Sequence, residues 1–451
     1  MLDAMSEKTK KLQLVFISFF WFSLLFYIIA LFYGANQKFR EITPWYFLIL
    51  RDLIFIGFLT YLTYMTKSYI VKLYSHLPNY KKFLKWFSIL ISIYLAIVFI
   101  HSFHKEIRDI LQHYIRNIVF YSLVLFFLPA IFKSNKDFDL LLKNILYAGV
   151  ILSLLGILTR YISTDNLTWD GRIISTMADP NNIAVFISLC IFIIIAQWNY
   201  IGHIKSILFI TIYLIAFVIA NSITAFAVAN FGILIILLLK SGKWKGIALW
   251  LIIFYIMIAL SLSIKAIENP NNTIEYLLKH SAQENRYIVD KLNNVTRGKF
   301  YRIFLFGFET HVSSDIIKSL SIRQAQISFP AVTVLSIMIG DLDTIKYVTF
   351  DNQYLNFIAN SGIISVFIFL SIFSWGLYEG FKYWFKYKDN IILPFSIFIL
   401  TMLIFGFNGA AFLNRFPINF LLYISLGLIF LKKDMERQPT EPGHVPFNKG
   451  I

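Results

Sequence analysis

The sequence predicts an all-α integral membrane protein that crosses the membrane about twelve times. Hydrophobic residues occupy 58% of its 451 positions and charged residues only 15%, with a mean hydropathy of +0.68. A soluble chain carries about 25% charged residues, so this one has too little polar surface to be covered by water. Its apolar residues are also gathered in runs of about 20, the length that a spanning helix needs.

Twelve apolar runs are the predicted helices. Membrane barrel strands are excluded, because they alternate apolar and polar residues over about ten positions. The runs lie at roughly 12–33, 45–66, 87–103, 117–132, 139–161, 182–199, 206–221, 223–240, 246–264, 359–380, 391–409 and 416–431. We expect a single transmembrane domain, 1–434, with one large outer loop at 265–352 between the ninth and tenth helices. Residues 435–451 are rich in proline, and we expect them to form a disordered cytoplasmic tail.

The net charge of +16 is explained by loop topology without any ligand. Short cytoplasmic loops are enriched in lysine and arginine, and this bias sets the orientation of the helices. The basic residues of the predicted inner segments include Lys67, Lys72, Lys81, Lys82, Lys85, Lys133, Lys136, Lys205, Lys240, Lys243, Lys245, Lys382, Lys386, Lys388, Lys432 and Lys433. The pattern predicts that both termini are cytoplasmic, and it removes the need for a nucleic-acid partner.

Arginine has the opposite distribution. Of the twelve arginines, only Arg437 falls on the predicted inner side. The others are Arg40, Arg51, Arg108, Arg116, Arg160, Arg172, Arg286, Arg297, Arg302, Arg323 and Arg415. The planar guanidinium binds phosphate and carboxylate groups with two parallel hydrogen bonds. As a set these residues suggest an anionic ligand on the outer face; the alternative is pairing with acidic residues or lipid headgroups.

The segment from Gly171 to Asn182 enters the sixth predicted helix from outside. Asp179 is a good N-cap, and Pro180 suits the first helical position. A helix N-terminus carries free amides and the positive end of the helix dipole, so it binds phosphate well. Plain capping explains Asp179 and Pro180 but leaves Arg172 unexplained.

The end of the large outer loop carries Asp351-Asn352-Gln353-Tyr354 at the mouth of the tenth helix. Asp351 could act as a general base at a sugar hydroxyl, with Asn352 and Tyr354 orienting it. The alternative is that Asp351 only caps that helix. Elsewhere in the loop, Arg286, Arg297, Arg302 and Arg323 could cradle a lipid diphosphate, or could form a solvated face.

Arg51 and Asp52 lie within the second predicted helix. Adjacent residues of a helix do not face each other, so we expect each to find a partner on another helix. Ionisable residues inside the membrane are candidates for function.

Three landmarks resemble, in order, the bacterial O-antigen polymerase and ligase superfamily. The segment Arg172 to Val185 (RIISTMADPNNIAV) is similar to the family's entry to a middle helix. Arg286 followed by Phe304 to Phe308 is similar to its loop arginine and glycine turn, with Glu309 in place of a second glycine. Asp351-Asn352 before Gly362 is similar to its His-Asn motif. The ligases of this superfamily carry histidine where this chain has Asp351, so the chain looks more like the polymerases.

The resemblance implies a GT-C-like membrane fold and an inverting, metal-independent glycosyl transfer on the periplasmic side of the bacterial inner membrane. The donor would be a glycan on undecaprenyl diphosphate, and the acceptor would be the terminal sugar of another lipid-linked repeat unit. It implies catalytic roles for Asp351, Arg172 and Arg286 and no cofactor. We expect substrate-binding roles for Arg51, Arg160, Arg297, Arg302, Arg323, Asn181, Asn352 and Tyr354.

Two alternatives stay open. One is a ligase that transfers finished O-antigen to lipid A core, and the other is a flippase for lipid-linked oligosaccharides. The arginines on one side and the large outer loop favour an enzyme over a flippase. Expected partners are the lipid-linked substrates, membrane lipids and a co-polymerase that regulates chain length, the last from the resemblance alone.

Overall fold

The computed structural model describes residues 2–25, 45–102, 118–162, 168–169, 172–173, 180–220, 222–268, 353–406 and 417–436. Within these ranges the chain is helical apart from turns and one small hairpin. The helices are α1 (Leu2–Leu25), α2 (Trp45–Thr66), α3 (Ile70–Ser75), α4 (Pro78–Ser102), α5 (Leu128–Ile131), α6 (Asn135–Ile162), α7 (Pro180–Ile201), α8 (His203–Ala220), α9 (Ile223–Ser241), α10 (Lys243–Glu268), α11 (Gln353–Tyr387), α12 (Ile392–Phe405) and α13 (Ile418–Met435). The hairpin strands are β1 (Thr168–Trp169) and β2 (Arg172–Ile173).

The protein is a polytopic helical membrane protein, as its composition predicts. Seven helices of the described ranges are long and apolar enough to cross a membrane. They contain Ile49–Thr66, Pro78–Phe99, Asn135–Leu158, Asn181–Ile201, His203–Ala220, Lys243–Leu260 and Gly362–Tyr387. Two shorter apolar helices span Ala225–Ser241 and Ile392–Phe405. The remaining predicted spans coincide with α1, the segment 118–131 and α13, which do not meet the same criteria, so the number twelve stays a prediction.

The fourth predicted span is not a regular helix. Between Ile118 and Ile131 it consists of a π turn, an α turn, the 3-10 helix Leu123–Phe126 and the short helix α5. Two tyrosine hydroxyls explain the irregularity: Tyr74 donates to the Phe126 carbonyl, and Tyr80 donates to the Leu125 carbonyl at 2.5 Å. Pro129 contributes no backbone N–H to the ladder. Side chains from other elements therefore bind carbonyls that a regular helix would use itself.

The helices around α6 alternate in direction, which places chain positions at two ends of the bundle. Lys432 joins the first residue of α6 to the turn after α11, because its Nζ donates to the Asn135 side chain and lies 3.3 Å from Asp389 Oδ2. Tyr200, near the last residue of α7, donates to Asp139 Oδ2 at 3.1 Å. We call the end that holds Asn135, Asp389 and Lys432 the lysine end. The arginine end is the opposite one, where α6 ends and where α7 and α11 begin.

At the lysine end, charged residues of α13 bind the neighbouring helices through hydrogen bonds and ion pairs. Asp434 is only 1% exposed and accepts hydrogen bonds from the backbone N–H of Asn79, at 3.1 Å, and of Tyr80, at 2.7 Å. Those amides belong to the first turn of α4, where no intrahelical acceptor exists. Lys433 pairs with Glu379 of α11 at 2.5 Å. The lysines that topology assigns to the inner side therefore include some with structural contacts.

α6, α7 and α8 approach one another closely around Gly149. A methyl group added at Gly149 of α6 would lie 2.6 Å from Cys190 Sγ and 2.9 Å from Tyr213 Oη. Tyr213 donates to the Leu146 carbonyl at 2.5 Å. Small residues let membrane helices approach this closely. The single cysteine, Cys190, is accordingly buried in packing.

The helix that precedes the predicted outer loop ends later than expected. The sequence predicts its start at residue 265, whereas α10 continues to Glu268. The sequence Ile264-Lys265-Ala266-Ile267-Glu268 has no glycine or proline that would end the helix earlier. The rest of the predicted loop, 269–352, lies outside the described residues, as does the predicted tail after residue 436.

Candidate functional site

The hairpin places Arg172 at the arginine end of the bundle. Trp169 of β1 and Arg172 of β2 are paired neighbours in an antiparallel register. β2 contacts both α6 and α8. Because β1 begins only six residues after α6 ends at Ile162, the contact with α6 is made near that end. Arg172 is thus carried by a short element that is packed on the helices and joined to them by short connections.

The N-termini of α7 and α9 are joined at the same end. α7 begins at Pro180, as the sequence predicts, and Asn181 accepts a hydrogen bond from the Ser222 hydroxyl at 2.5 Å. Ser222 is also the N-cap of α9, where its oxygen accepts from the Ala225 N–H at 3.3 Å. Two positive helix-dipole ends therefore lie side by side. Asp179, the predicted cap of α7, lies outside the described residues.

Arg160 belongs to the last turn of α6, two residues before the helix ends at Ile162. The structure therefore brings the chain positions of Arg160, Arg172 and Asn181 to one end of the bundle, although they come from three elements. This arrangement has the residue types and the helix ends that an anionic group requires.

Arg51 occupies a different environment, inside the bundle. It is 3% exposed, and its Nη2 lies 3.2 Å from Asp52 Oδ1. The ring of Tyr121 lies 5.6 Å below the guanidinium carbon, and its hydroxyl donates to the same Asp52 oxygen at 3.1 Å. The expectation of a partner on another element is confirmed by Tyr121. The expectation that Arg51 and Asp52 do not face each other is wrong, because the long arginine side chain folds back to its neighbour.

The Arg51–Asp52 pair is neutral overall and links α2 to the segment at 118–122. Phe55 of α2 strengthens that link, since its ring centroid lies 4.6 Å from that of Phe120 and 5.1 Å from that of Tyr121. These contacts hold α2 against the segment 118–122. A substrate-binding role for Arg51 stays a prediction.

Tyr354 lies at the beginning of α11 and is buried. Its hydroxyl donates to the Leu403 carbonyl of α12 at 2.6 Å. This bond fastens the first turn of α11 to its neighbour. α11 begins at Gln353, and Asp351 and Asn352 lie just outside the described residues, so both the catalytic interpretation and the capping alternative stay predictions.

α11 is interrupted at Gly362, whose φ of 75° and ψ of 168° are accessible only to glycine. A short first segment, 353–361, is thereby separated from the long apolar segment that follows. Interrupted membrane helices form ligand sites in many transporters, because the ends of the half-helices offer free backbone groups to a ligand. The short segment comes directly after Asp351 in the chain.

Several predicted site residues lie outside the described residues: Asp351, Asn352, Arg286, Arg297, Arg302 and Arg323. Within the described ranges, two contributors were not predicted. Ser222 has a detectable signal, because it is a serine immediately before the apolar run of α9. Tyr121 has none, since its contact with Asp52 joins positions 69 residues apart.

Comparisons with protein-family models, with curated proteins and with solved structures find no match to this chain.

Proposed function

We propose that this protein is a polysaccharide polymerase that transfers a growing glycan from undecaprenyl diphosphate to the terminal sugar of another lipid-linked repeat unit. The observation that carries the proposal is the gathering of Arg160, Arg172 and the N-terminus of α7 at the end of the bundle where α11 begins. Asp351 precedes α11 by two positions. The cationic groups that would bind a diphosphate thus belong to the same end of the molecule as the carboxylate that would accept a proton from a hydroxyl.

The membrane arrangement that this function needs has twelve spans and cytoplasmic termini in the bacterial inner membrane. The arginine end then faces the periplasm, and the loop that carries Arg286, Arg297, Arg302 and Arg323 lies over it. The lysines and the alternating helices support this orientation. The positive-inside rule assigns the lysine end to the cytoplasm, and the arginine end is the opposite one.

The chemistry is a single displacement with inversion at the anomeric carbon of the donor. Asp351 accepts the proton of the acceptor hydroxyl, whose oxygen forms the new bond to that carbon. The bond from the anomeric carbon to the diphosphate oxygen breaks, and undecaprenyl diphosphate leaves with its electron pair. Arg172, Arg286 and the amides of α7 stabilise the charge that develops on the leaving group. Fixed cations take the place that a divalent metal has in other glycosyl transfers.

A ligase and a flippase are the two competing functions. A ligase would transfer the same donor glycan to lipid A core, and the Asp351 carboxylate in place of the ligase histidine favours polymerase. A flippase would need its charges around a central cavity. The buried pair Arg51–Asp52 is braced by aromatic rings and does not suggest such a path.

The deciding experiment uses purified protein in liposomes with lipid-linked repeat units as the only substrate. A polymerase extends the strands, and a chain-length-regulating co-polymerase narrows their length distribution. Absence of extension by protein that restores long-chain polysaccharide in cells would refute autonomous polymerisation. In a deletion strain, core with a single repeat unit indicates a lost polymerase, whereas bare core with glycan on the carrier lipid indicates a lost ligase.

A further inference from the structure

The connection from α2 through α3 to α4 carries five exposed lysines at the lysine end. We define the five-lysine surface as Lys67, Lys72, Lys81, Lys82 and Lys85, all of which are exposed. No aspartate or glutamate occurs in the sequence between Asp52 and Glu106. The ion pairs of the described residues involve none of the five. Five positive charges therefore face outward without a carboxylate from this part of the chain.

Other lysines at the same end are satisfied by the protein itself. Lys432 contacts Asp389 and Glu436, at 3.3 and 3.2 Å, and Lys433 contacts Glu379. Lys240 donates to the carbonyl of Ile195 at 3.2 Å. Loop topology alone explains why lysines occur at this end. Lys205, Lys243 and Lys245 also lack acidic neighbours in the sequence, but the connection from α2 to α4 gathers five such lysines.

The exposed stripe of α4 shows what surrounds this surface. Lys81, Lys82 and Lys85 begin the stripe, Trp86 follows, and then Ile89 and Ile93, all exposed. From Lys81 to Ile89 the helix rises about 12 Å. A change from lysine through tryptophan to isoleucine along one face is typical of a helix that passes from headgroups into the hydrocarbon region.

A second element repeats this order. Tyr64 is exposed near the end of α2, and the Lys67 ammonium lies 5.1 Å from the centroid of its ring. Val71 of the short helix α3 is 78% exposed beside Lys72. An exposed apolar side chain next to lysines suits a segment that rests on the membrane surface.

We propose that the five-lysine surface binds the phosphate headgroups of anionic phospholipids, with phosphatidylglycerol as the representative ligand. Lysine ammonium groups bind phosphate as mobile point charges, which suits headgroups that exchange and change orientation. The ligand is a membrane lipid and not a soluble protein, because the lysines are continuous with side chains at hydrocarbon depth. The proposal is independent of the polymerase reaction.

Trp86 provides the measurement, because it is 48% exposed and adjoins Lys85. The full-length protein is reconstituted in mixtures of phosphatidylcholine and brominated phosphatidylglycerol. In a second series the phosphatidylcholine is brominated and the phosphatidylglycerol is not. Bromine quenches nearby tryptophan, and the difference between the native protein and Trp86→Phe isolates the lipid next to Lys85. We expect phosphatidylglycerol to be preferred at this position.

The test variant is Lys81→Gln/Lys82→Gln/Lys85→Gln. Each lysine near a headgroup layer strengthens anionic lipid binding by about fivefold, so the triple change should lower the preference at least tenfold. The variant Lys81→Arg/Lys82→Arg/Lys85→Arg keeps the charge and should keep the preference for phosphatidylglycerol. The proposal would be overturned if the three changes to Gln left this preference unchanged, or if the three changes to Arg abolished it.

The matched control is Lys382→Gln/Lys386→Gln/Lys388→Gln, which removes the same charge from exposed lysines of α11 and its following turn. These lysines lie over the rings of Tyr378, Tyr387 and Trp384 and have acidic neighbours in the sequence. We expect the control to keep the lipid preference near Trp86. An equal loss in the control would show that overall charge, and not this surface, attracts the lipid, and would refute the proposal. Equal melting temperatures in pure phosphatidylcholine verify that all variants are folded.

Discussion

At the scale of residues, burial and pairing distinguish basic side chains that look alike in the sequence. Lys432 is 2% exposed and fully engaged, whereas Lys81 faces outward. Arg51 is neutralised by Asp52, while Arg172 is carried by a hairpin at the arginine end. These differences decide which side chains are candidates for binding a diphosphate and which hold the helices together.

Replacement of Asp351 tests the assignment of the base. Asp351→Asn keeps the size of the side chain but removes the proton acceptor, and general base catalysis contributes about 10²- to 10⁴-fold. We expect strand extension in liposomes to fall by that range and the surface-polysaccharide ladder to collapse to single repeat units. Glu7→Gln, on an exposed side chain of α1, is the control. A full-length ladder from Asp351→Asn would exclude this role.

Arg172 tests the stabilisation of the leaving group. Arg172→Ala should lower the extension rate by about 10²- to 10³-fold, the usual effect of losing one fixed donor to a developing charge. Arg172→Lys should lower it less, because the charge remains while the paired hydrogen bonds are lost. We expect Arg286→Ala to behave like Arg172→Ala. Arg437→Ala, on the predicted cytoplasmic side, is the matched control, and equal rates for Arg172→Ala and Arg437→Ala would argue against the assignment.

At the scale of elements, local signals predicted most helices and one helix start. Proline at the first position and the apolar run that follows were sufficient to place the beginning of α7 at Pro180. The irregular segment 118–131 and the interruption at Gly362 were not predicted. The first depends on hydroxyl groups of Tyr74 and Tyr80 that come from a distant part of the chain. The second is a backbone conformation that a single glycine permits but does not require.

Gly149→Ala tests the close approach of α6, α7 and α8. The added methyl group would collide with Cys190 Sγ and Tyr213 Oη, so these buried side chains or the helices that carry them must shift. We expect a loss of about 1–3 kcal/mol in stability, the usual cost of overpacking, measured as a lower melting temperature in detergent. Gly57→Ala in α2 is the matched control, because no atom lies within 4 Å of its added methyl group. Equal melting temperatures for the two variants would contradict this packing.

At the scale of the whole molecule, the distribution of lysines and the alternation of helices predict that the lysine end faces the cytoplasm. Cys190 is the only cysteine and is buried, so Cys190→Ala provides a background for labelling single introduced cysteines. In intact spheroplasts, a membrane-impermeant maleimide should label Asn166→Cys and Asn294→Cys. Lys136→Cys and His444→Cys should react only after permeabilisation. Labelling of His444→Cys from outside would refute a cytoplasmic C-terminus.

The sequence by itself determined the membrane class, the helical fold and the position of most helices, because these depend on local runs of apolar residues and on the scarcity of charge. It also suggested an arginine-rich face. Only the tertiary structure decided how individual charges are used: Asp434 caps a helix that begins more than 350 positions earlier, and Asn181 joins Ser222 across two helix ends. Such contacts join residues far apart in the chain, so no local pattern encodes them.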